Sequence, residues 1–206
     1  KDQGQCGSCA SFASVATVET CFKGLTGKAS DLSEQQLMDC GFNGEAMNGC
    51  NGAAPHAYND WLSSHQGGQL AHENTVPYKM AQQSCSSAPI FNTGAKVYKS
   101  YYSYSMDETT LMGLVATYGA VLTGIYASDR AFTNYGGGIY DKCAAGVQPN
   151  HAVVIVGYGE ENGVKYWKVK NSWGSNWGES GLFRMKRGVG MCGIGSTASL
   201  PMCQAA

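Results

Sequence analysis

Cys9 is the residue of this chain whose type and setting most favour covalent chemistry. It ends a glycine-containing loop, Gln3-Gly4-Gln5-Cys6-Gly7-Ser8-Cys9, and a run without Gly or Pro follows it. This pattern predicts a helix with the thiol at its N-terminus, where unpaired backbone N–H groups and the helix dipole favour the nucleophilic thiolate. On this pattern alone, a cysteine that is only buried or disulfide-bonded is the more common case.

His151 and Asn171, far along the chain, are the residues that could assist such a thiolate. His151 opens an apolar strand in Asn150-His151-Ala152-Val153-Val154, and Asn171 lies in Lys170-Asn171-Ser172-Trp173-Gly174. An imidazole beside a thiol, oriented by a third polar group, is the usual arrangement for nucleophilic acyl transfer. Each residue also has a simpler interpretation, because a histidine at a strand start is more often structural and asparagine is a common turn residue. We interpret the other three histidines, at positions 56, 65 and 72, as surface residues.

The elements that must position these side chains form a helical half and a strand-rich half. Four helices are predicted: residues 9–23 ending at Gly24, residues 33–40 with a Ser33–Gln36 capping box, one with Pro55 in its first turn, and one from an Asp107 cap to Gly119. Strands are predicted over residues 120–127, 151–158, 166–170 and 182–185, which are rich in β-branched and aromatic residues. An Asn-Gly pair at 162–163 predicts a hairpin, so the sheet should be largely antiparallel. Helices before strands predict an α+β protein with two lobes, residues 1–90 and 91–206.

Six motifs in one order give the chain a resemblance to the papain and cathepsin family of cysteine peptidases, in particular its cathepsin L-like members. They are Q-G-x-C-G-S-C at 3–9, S-E-Q-Q-L-x-D-C at 33–40, C-N-G at 50–52, N-H-A-V at 150–153, G-Y-G at 157–159 and K-N-S-W-G-x-x-W-G at 170–178. The resemblance implies a two-lobed papain-like fold with the active site in the cleft. It also implies that Cys9 is the nucleophile, His151 its proton partner, Asn171 the group that orients the imidazole, and Gln3 a donor to the oxyanion.

The resemblance further implies which residues bind substrate. They are Gly52, Ala53, Ala54, Pro55, Gly124, Pro149, Asn150, Ala152, Trp173 and Thr197. None is charged, so the pocket for the side chain two residues before the scissile bond (P2) is expected to take Leu, Phe or Tyr rather than Arg. Cathepsin B-like members have an acidic residue at the base of this pocket and a histidine-bearing loop that occludes part of the cleft. Here Thr197 is neutral and residues 41–50 are too few for such a loop. We therefore expect endopeptidase action, through a thioester acyl-enzyme. A catalytically silent binding relative and a peptide ligase using the same acyl-enzyme are the alternatives.

Three features depart from the family pattern. Ala10 follows the nucleophile where Trp or Tyr is usual, so the packing behind the helix must differ. Ala53 replaces the second glycine after Cys50-Asn51, and its methyl group could hinder close approach of substrate. The chain also begins later than mature family members do, with no signal peptide, so we expect an N-terminus removed by processing or an incomplete sequence.

Nine cysteines are many for a reducing compartment, and an odd number leaves at least one unpaired in a monomer. The family pairing would join Cys6 to Cys50, Cys40 to Cys85 and Cys143 to Cys192, which leaves Cys9 free. A bond between Cys21 and Cys203 is a hypothesis without a family precedent.

Composition argues against several classes of partner. Lys plus Arg number 14 against 15 Asp plus Glu, so no polybasic face for nucleic acid or an anionic membrane is expected. The single Cys-x-x-Cys spacing lacks a second ligand pair for zinc, and no metal or organic cofactor is expected. Expected partners are protein or peptide substrates and a propeptide or cystatin-like inhibitor, around a monomer. Without an N-x-S/T sequon for glycan-based sorting, an extracellular digestive location is as credible as a lysosomal one.

Overall fold

The computed structural model describes all residues from 1 to 206 and contains five α-helices, one 3₁₀ turn and seven strands. The helices are α1 (Cys9–Thr26), α2 (Glu34–Gly41), α3 (Ala57–Ser64), α4 (Glu108–Tyr118) and α5 (Arg130–Thr133), with the 3₁₀ turn at Gln66–Gly68. The strands are β1 (Ala95–Tyr104), β2 (Val121–Ile125), β3 (Ile139–Tyr140), β4 (His151–Glu161), β5 (Val164–Lys170), β6 (Leu182–Lys186) and β7 (Thr197–Ala205). Helices α1, α2 and α3 therefore precede every strand of the sheet.

Helix α1 extends one turn beyond its predicted end. The expected stop at Gly24 is wrong, because the left-handed C-cap is Gly27, with φ of 71° and an N–H that donates to the Lys23 carbonyl. A glycine inside a helix lowers helix stability by only about 1 kcal/mol relative to alanine. Burial of the apolar face of α1 outweighs this, so the helix continues past Gly24.

The other predicted helix starts are found within one or two residues. Ser33 caps α2 by accepting a hydrogen bond from Gln36 N–H, whereas the Gln36 side chain accepts from Ala71 N–H instead of reaching back. Pro55 does not lie in the first turn of α3, since His56 is the residue that precedes the helix. Asp107 caps α4 as expected, with its carboxylate accepting from Thr109 and Thr110 N–H groups.

The seven strands form one sheet in the order β1-β7-β2-β4-β5-β6-β3. All neighbours are antiparallel except β3 and β6, which confirms the largely antiparallel sheet. Asn162 and Gly163 both have positive φ and join β4 to β5 as a tight hairpin, with Glu161 opposite Val164. His151, the first residue of β4, pairs with Ile125 at the end of β2.

Two buried clusters hold the molecule together. The first joins α1, α2 and α3 to one side of the sheet and includes Phe22, Leu37, Leu62, Leu122 and Val154. The second lies on the other side of the sheet and includes Leu111, Phe132, Ile155, Trp167 and Phe183. Because strands of the same sheet contribute to both clusters, the sheet connects the helical half of the chain to the strand-rich half.

Four disulfides link distant segments. They join Cys6 to Cys50, Cys21 to Cys203, Cys40 to Cys85 and Cys143 to Cys192, and Cys9 alone is free. The bond from Cys21 to Cys203 ties α1 to β7. No helix combines the length and the apolar character that crossing a bilayer requires.

Candidate active site

The first residues of the chain lie against the loop that follows β5. Gln3 N–H donates to the Ser172 carbonyl at 2.9 Å, and Gly174 N–H donates to the Lys1 carbonyl at 3.1 Å. The Gln3 side chain is buried and held at both ends: its Oε1 accepts from Ser172 Oγ at 2.6 Å, and its Nε2 donates to the Cys6 carbonyl at 3.0 Å. One Nε2 hydrogen stays available, since an amide nitrogen carries two.

Cys9 is the first residue of α1, at the end of a loop that is anchored to residue 50. Gly7 N–H donates to the Cys50 carbonyl, and a Cβ at Gly7 would collide with that same oxygen. The Cys6–Cys50 disulfide fixes the same two segments. The thiol is therefore delivered to the helix N-terminus by a rigid loop, as the sequence predicts.

His151 and Asn171 form a direct hydrogen bond on the opposite side. His151 Nε2 lies 2.7 Å from Asn171 Oδ1, which also accepts from Ser172 N–H at 2.9 Å. Because a carbonyl oxygen only accepts, His151 carries its proton on Nε2, and Nδ1 is left for another partner. The Trp173 ring lies 4.9 Å from the imidazole, and Trp177 packs on Trp173 at 5.1 Å, so indole rings shield the bond from water.

Burial and local hydrogen bonds act in opposite directions on the two titratable groups. Burial raises the pKa of the Cys9 thiol, while the backbone N–H groups of Ala152, Ala10 and Cys9 itself lower it. Burial lowers the pKa of His151, and the Asn171 hydrogen bond raises it. Burial by itself thus favours a neutral pair, and the hydrogen bonds favour thiolate and imidazolium.

A cavity of about 180 Å³ brings the two sides together. Its lining includes Cys9 and His151 and seven of the ten predicted substrate-binding residues: Gly52, Ala53, Pro55, Gly124, Pro149, Asn150 and Ala152. Gly124 leaves no spare room there, because a Cβ would lie 3.0 Å from both Pro149 Cβ and Thr197 Oγ1.

Three predicted substrate-binding residues do not line this cavity. Thr197 lies behind Gly124 and accepts its N–H at 3.0 Å. Ala54 is held by a hydrogen bond from its N–H to the Ala46 carbonyl and packs on the first cluster. Trp173 faces the imidazole ring instead.

The comparisons with known proteins agree with this geometry. The family model described as papain family cysteine protease matches residues 1–202. The chain belongs to the papain family. It is 40% identical over 207 residues to the oryzain gamma chain of Oryza sativa subsp. japonica, covering 98% of this chain and 55% of that protein. It is 37% identical over 210 residues to pro-cathepsin H of Mus musculus, covering 99% of this chain and 61% of that protein.

Solved structures of papain-family proteases have the same fold. The Carica candamarcensis cysteine protease CMS1MS2, solved in complex with E-64, matches with a TM-score of 0.85 at 35% identity and covers 98% of this chain and 91% of that one. Digestive procathepsin L2 of Tenebrio molitor larval midgut matches with a TM-score of 0.84 at 38% identity, over 98% of this chain and 63% of that one. The α+β two-lobed papain-like fold is confirmed. The chain spans somewhat more than half the length of the oryzain gamma chain and of pro-cathepsin H.

The two substitutions in papain-family motifs have distinct surroundings. Ala10 is buried in the first cluster, whose buried aromatic members are Phe22 of α1 and Tyr58 of α3. Ala53 lines the cavity and pairs with Met47 in an isolated bridge, while the preceding Gly52 has φ of 100°. The glycine that the backbone conformation requires is therefore retained.

Ser172 is a residue of the site that sequence reasoning did not single out. Its hydroxyl orients the Gln3 amide, and its N–H fixes the Asn171 amide. It lies inside the K-N-S-W-G motif, which is the one signal that could have indicated it. No group of three or more His, Cys, Asp or Glu side chains in the chain is arranged to hold a metal ion.

Proposed function

We propose that this papain-family chain is a cysteine endopeptidase, with Cys9 as nucleophile, His151 as acid and base, Asn171 as the group that orients the imidazole, and Gln3 as an oxyanion donor. The observation that carries the proposal is the free thiol at the start of α1, in the same cavity as an imidazole held by an amide at 2.7 Å. Thiol, imidazole and amide are the parts that nucleophilic acyl transfer needs.

The proposed reaction starts from a negatively charged Cys9 thiolate and a positively charged His151 imidazolium. The Cys9 thiolate attacks the scissile carbonyl, and the oxyanion is stabilised by the Gln3 side chain and the Cys9 N–H. Such a donor contributes roughly 3 to 4 kcal/mol in related acyl transfer. The His151 imidazolium gives its proton to the leaving amine, which departs and leaves a thioester on Cys9. Neutral His151 then takes a proton from water, the resulting hydroxide equivalent attacks the thioester, and the acid product and thiol are released.

For substrate choice, we propose an apolar P2 side chain. Apart from Cys9, His151 and Asn150, the residues that line the cavity are small or apolar, and none is Asp, Glu, Lys or Arg. Arginine at P2 would bury an unpaired charge, whereas each buried methylene contributes about 0.8 kcal/mol. The test compares kcat/KM for peptides that differ only in Leu, Phe or Arg at P2. Equal or faster cleavage of the Arg peptide contradicts this pocket.

An oxidising compartment, extracellular or lysosomal, is the location we propose, because four disulfides would be reduced in the cytosol. The relatives named pro-cathepsin H and procathepsin L2 support a propeptide as a partner. Inhibition of the active chain by a propeptide added in trans tests that partner.

The decisive experiment for the activity is active-site labelling. Native protein is treated with a peptidyl epoxide or chloromethyl ketone, and the adduct is located by peptide mapping. We expect one adduct per chain, on Cys9, with loss of peptidase activity, and no activity in Cys9→Ala. Labelling spread over several cysteines, or an active Cys9→Ala variant, overturns the assignment. Products formed with and without an added amine separate hydrolysis from ligation, and lack of turnover by the unlabelled wild type identifies a silent relative.

A further inference from the structure

Ser8 occupies the N-cap position of α1 but does not cap it. A serine there usually accepts a hydrogen bond from the N–H two or three residues along, which here belongs to Ala10 or Ser11. The Ser8 side chain makes no such bond. The N–H groups of Cys9 and Ala10 instead lower the pKa of the Cys9 thiol, and the first N–H that the helix pairs internally is that of Phe12, with the Ser8 carbonyl.

Tyr78 holds the Ser8 hydroxyl away from the helix start. Its phenol oxygen lies 2.6 Å from Ser8 Oγ, and its O–H donates to the Gln3 carbonyl at 2.9 Å. A phenol has a single proton, so Ser8 is the donor in the first bond and Tyr78 accepts, at a much shorter distance than the 3.4 Å from Ser8 Oγ to its other acceptor, the Cys6 carbonyl. One hydroxyl therefore joins the residue before the nucleophile to the residue that carries the oxyanion amide.

The Tyr78 ring is positioned independently of its hydroxyl. The ring packs edge-on against Phe12 with centroids 4.8 Å apart, and the Tyr78 N–H donates to Glu73 Oε1 at 2.8 Å. Burial also raises the pKa of the phenol, so it stays protonated and able to donate. A phenylalanine at this position would thus keep the packing and lose only the two hydrogen bonds.

We propose that Tyr78 is a positioning residue that keeps the Ser8 hydroxyl from capping α1, so that the N–H groups at the helix start remain open to the thiolate and the oxyanion. The inference rests on the proposed function and deepens it. Without the phenol, the Ser8 side chain would rotate onto the helix start, and at the Ala10 N–H it would compete with the thiolate for the same donor. The Gln3 carbonyl would also lose its only hydrogen bond from a side chain.

The test uses the full chain and the variants Tyr78→Phe, Ser8→Ala and their double variant. Cys9 alkylation by iodoacetamide is followed against pH, and kcat and KM are measured on one peptide amide. For Tyr78→Phe we expect the acid limb of alkylation to move up by about half to one pH unit, and kcat to fall about five- to tenfold at unchanged KM. In the double variant no hydroxyl is left to cap the helix, so the acid limb returns to its wild-type position, while kcat stays low because the Gln3 carbonyl still lacks its hydrogen bond from the phenol.

Tyr135→Phe is the matched control, because its hydroxyl also donates to a backbone carbonyl, that of Gly138 at 2.6 Å, away from the thiol. It should leave the alkylation profile unchanged. If Tyr78→Phe strongly lowers the melting temperature, the Ser8→Ala variant is used alone. An acid limb of Cys9 alkylation at the wild-type pH in Ser8→Ala then supports the proposal, and a shifted acid limb overturns it. Wild-type kinetics in Tyr78→Phe, or a double variant as shifted as Tyr78→Phe, also overturn it. Failure of the wild type to react at Cys9 would instead overturn the proposed function, and this inference with it.

Discussion

Cys9 and His151 face a shared cavity under opposing influences. Burial disfavours a charge on either group, yet transfer of the thiol proton to the imidazole creates two opposite charges that offset each other's burial. Separate groups at their ordinary pKa values would not be thiolate and imidazolium at the same pH, and burial moves each value further in the wrong direction. The charged form therefore depends on attraction within the pair, and the two groups titrate together.

We expect kcat/KM to be bell-shaped in pH. The acid limb reports formation of the thiolate beside the imidazolium, and the alkaline limb reports loss of the imidazolium proton. The measurement is kcat/KM for one peptide across the pH range in which the fold is stable. A single sigmoid that rises toward high pH, as for an isolated thiol, would contradict the ion pair.

Asn171→Ala should lower kcat far more than it raises KM, because it misplaces the imidazole and removes no substrate contact. The Asn171 hydrogen bond raises the pKa of His151, so its loss should also move the alkaline limb to lower pH. Steady-state kinetics against pH measure both effects.

Asn134→Ala is a suitable control for this variant. The Asn134 side chain donates to the Arg130 carbonyl on an exposed turn, so the change removes an amide without touching the imidazole. Unchanged turnover in Asn171→Ala would mean that Asn171 is only a turn residue.

The sequence indicates these site residues but not how they are held. Cys9, His151 and Asn171 lie in recognisable motifs, whereas the bond from Ser172 Oγ to Gln3 Oε1 joins residues that are 169 positions apart in the sequence. No local pattern encodes a contact of that span. The phenol of Tyr78 is hidden for the same reason, since its partners lie at residues 3 and 8.

At the scale of elements, Ser33 makes a testable contribution to α2. Its hydroxyl accepts from Gln36 N–H at 2.9 Å and donates to the Val76 carbonyl at 2.6 Å in a fully buried position. Ser33→Ala should lower the free energy of unfolding by about 1 to 2 kcal/mol, measured by urea denaturation. Ser64→Ala, at an exposed helix end, should change it little. Equal effects in the two variants would show that the buried cap has no special role.

Strands β1 and β7 mark the limit of pattern-based prediction. The sheet was expected to begin at residue 120, but β1 precedes it as an edge strand with a register shift between Val97 and Lys99. The shift and the exposed tyrosines remove the alternation that identifies a half-buried strand. β7 contains Pro201, which argues against a strand by propensity. Both strands therefore depend on pairing with segments that are distant in the sequence, which a local pattern does not reveal.

For the whole molecule, the bond from Cys21 to Cys203 closes the largest covalent loop, with a sequence separation of 182. Replacing both cysteines by serine should lower the free energy of unfolding by about 2 to 5 kcal/mol. Denaturation is measured with Cys9 blocked in variant and wild type alike, so that thiol exchange does not interfere. Peptide mapping without reduction checks the bond itself, and a Cys21 or Cys203 thiol that reacts in the native protein would refute it.

The contact between the first residues and the loop after β5 has a consequence for synthesis in the cell. During translation the segment from Gln3 to Cys9 is completed well before the segment from Asn171 to Gly174. Until the later segment emerges, the Gln3 amide has no Ser172 to orient it, and the thiol has no imidazole across the cavity. Under the proposed function, a nascent chain therefore cannot cleave peptides until residues 171–174 have been added and folded against Gln3. A ribosome-bound truncation ending before residue 150 would lack His151, Asn171 and Ser172, and is expected to show no peptidase activity under the proposed function.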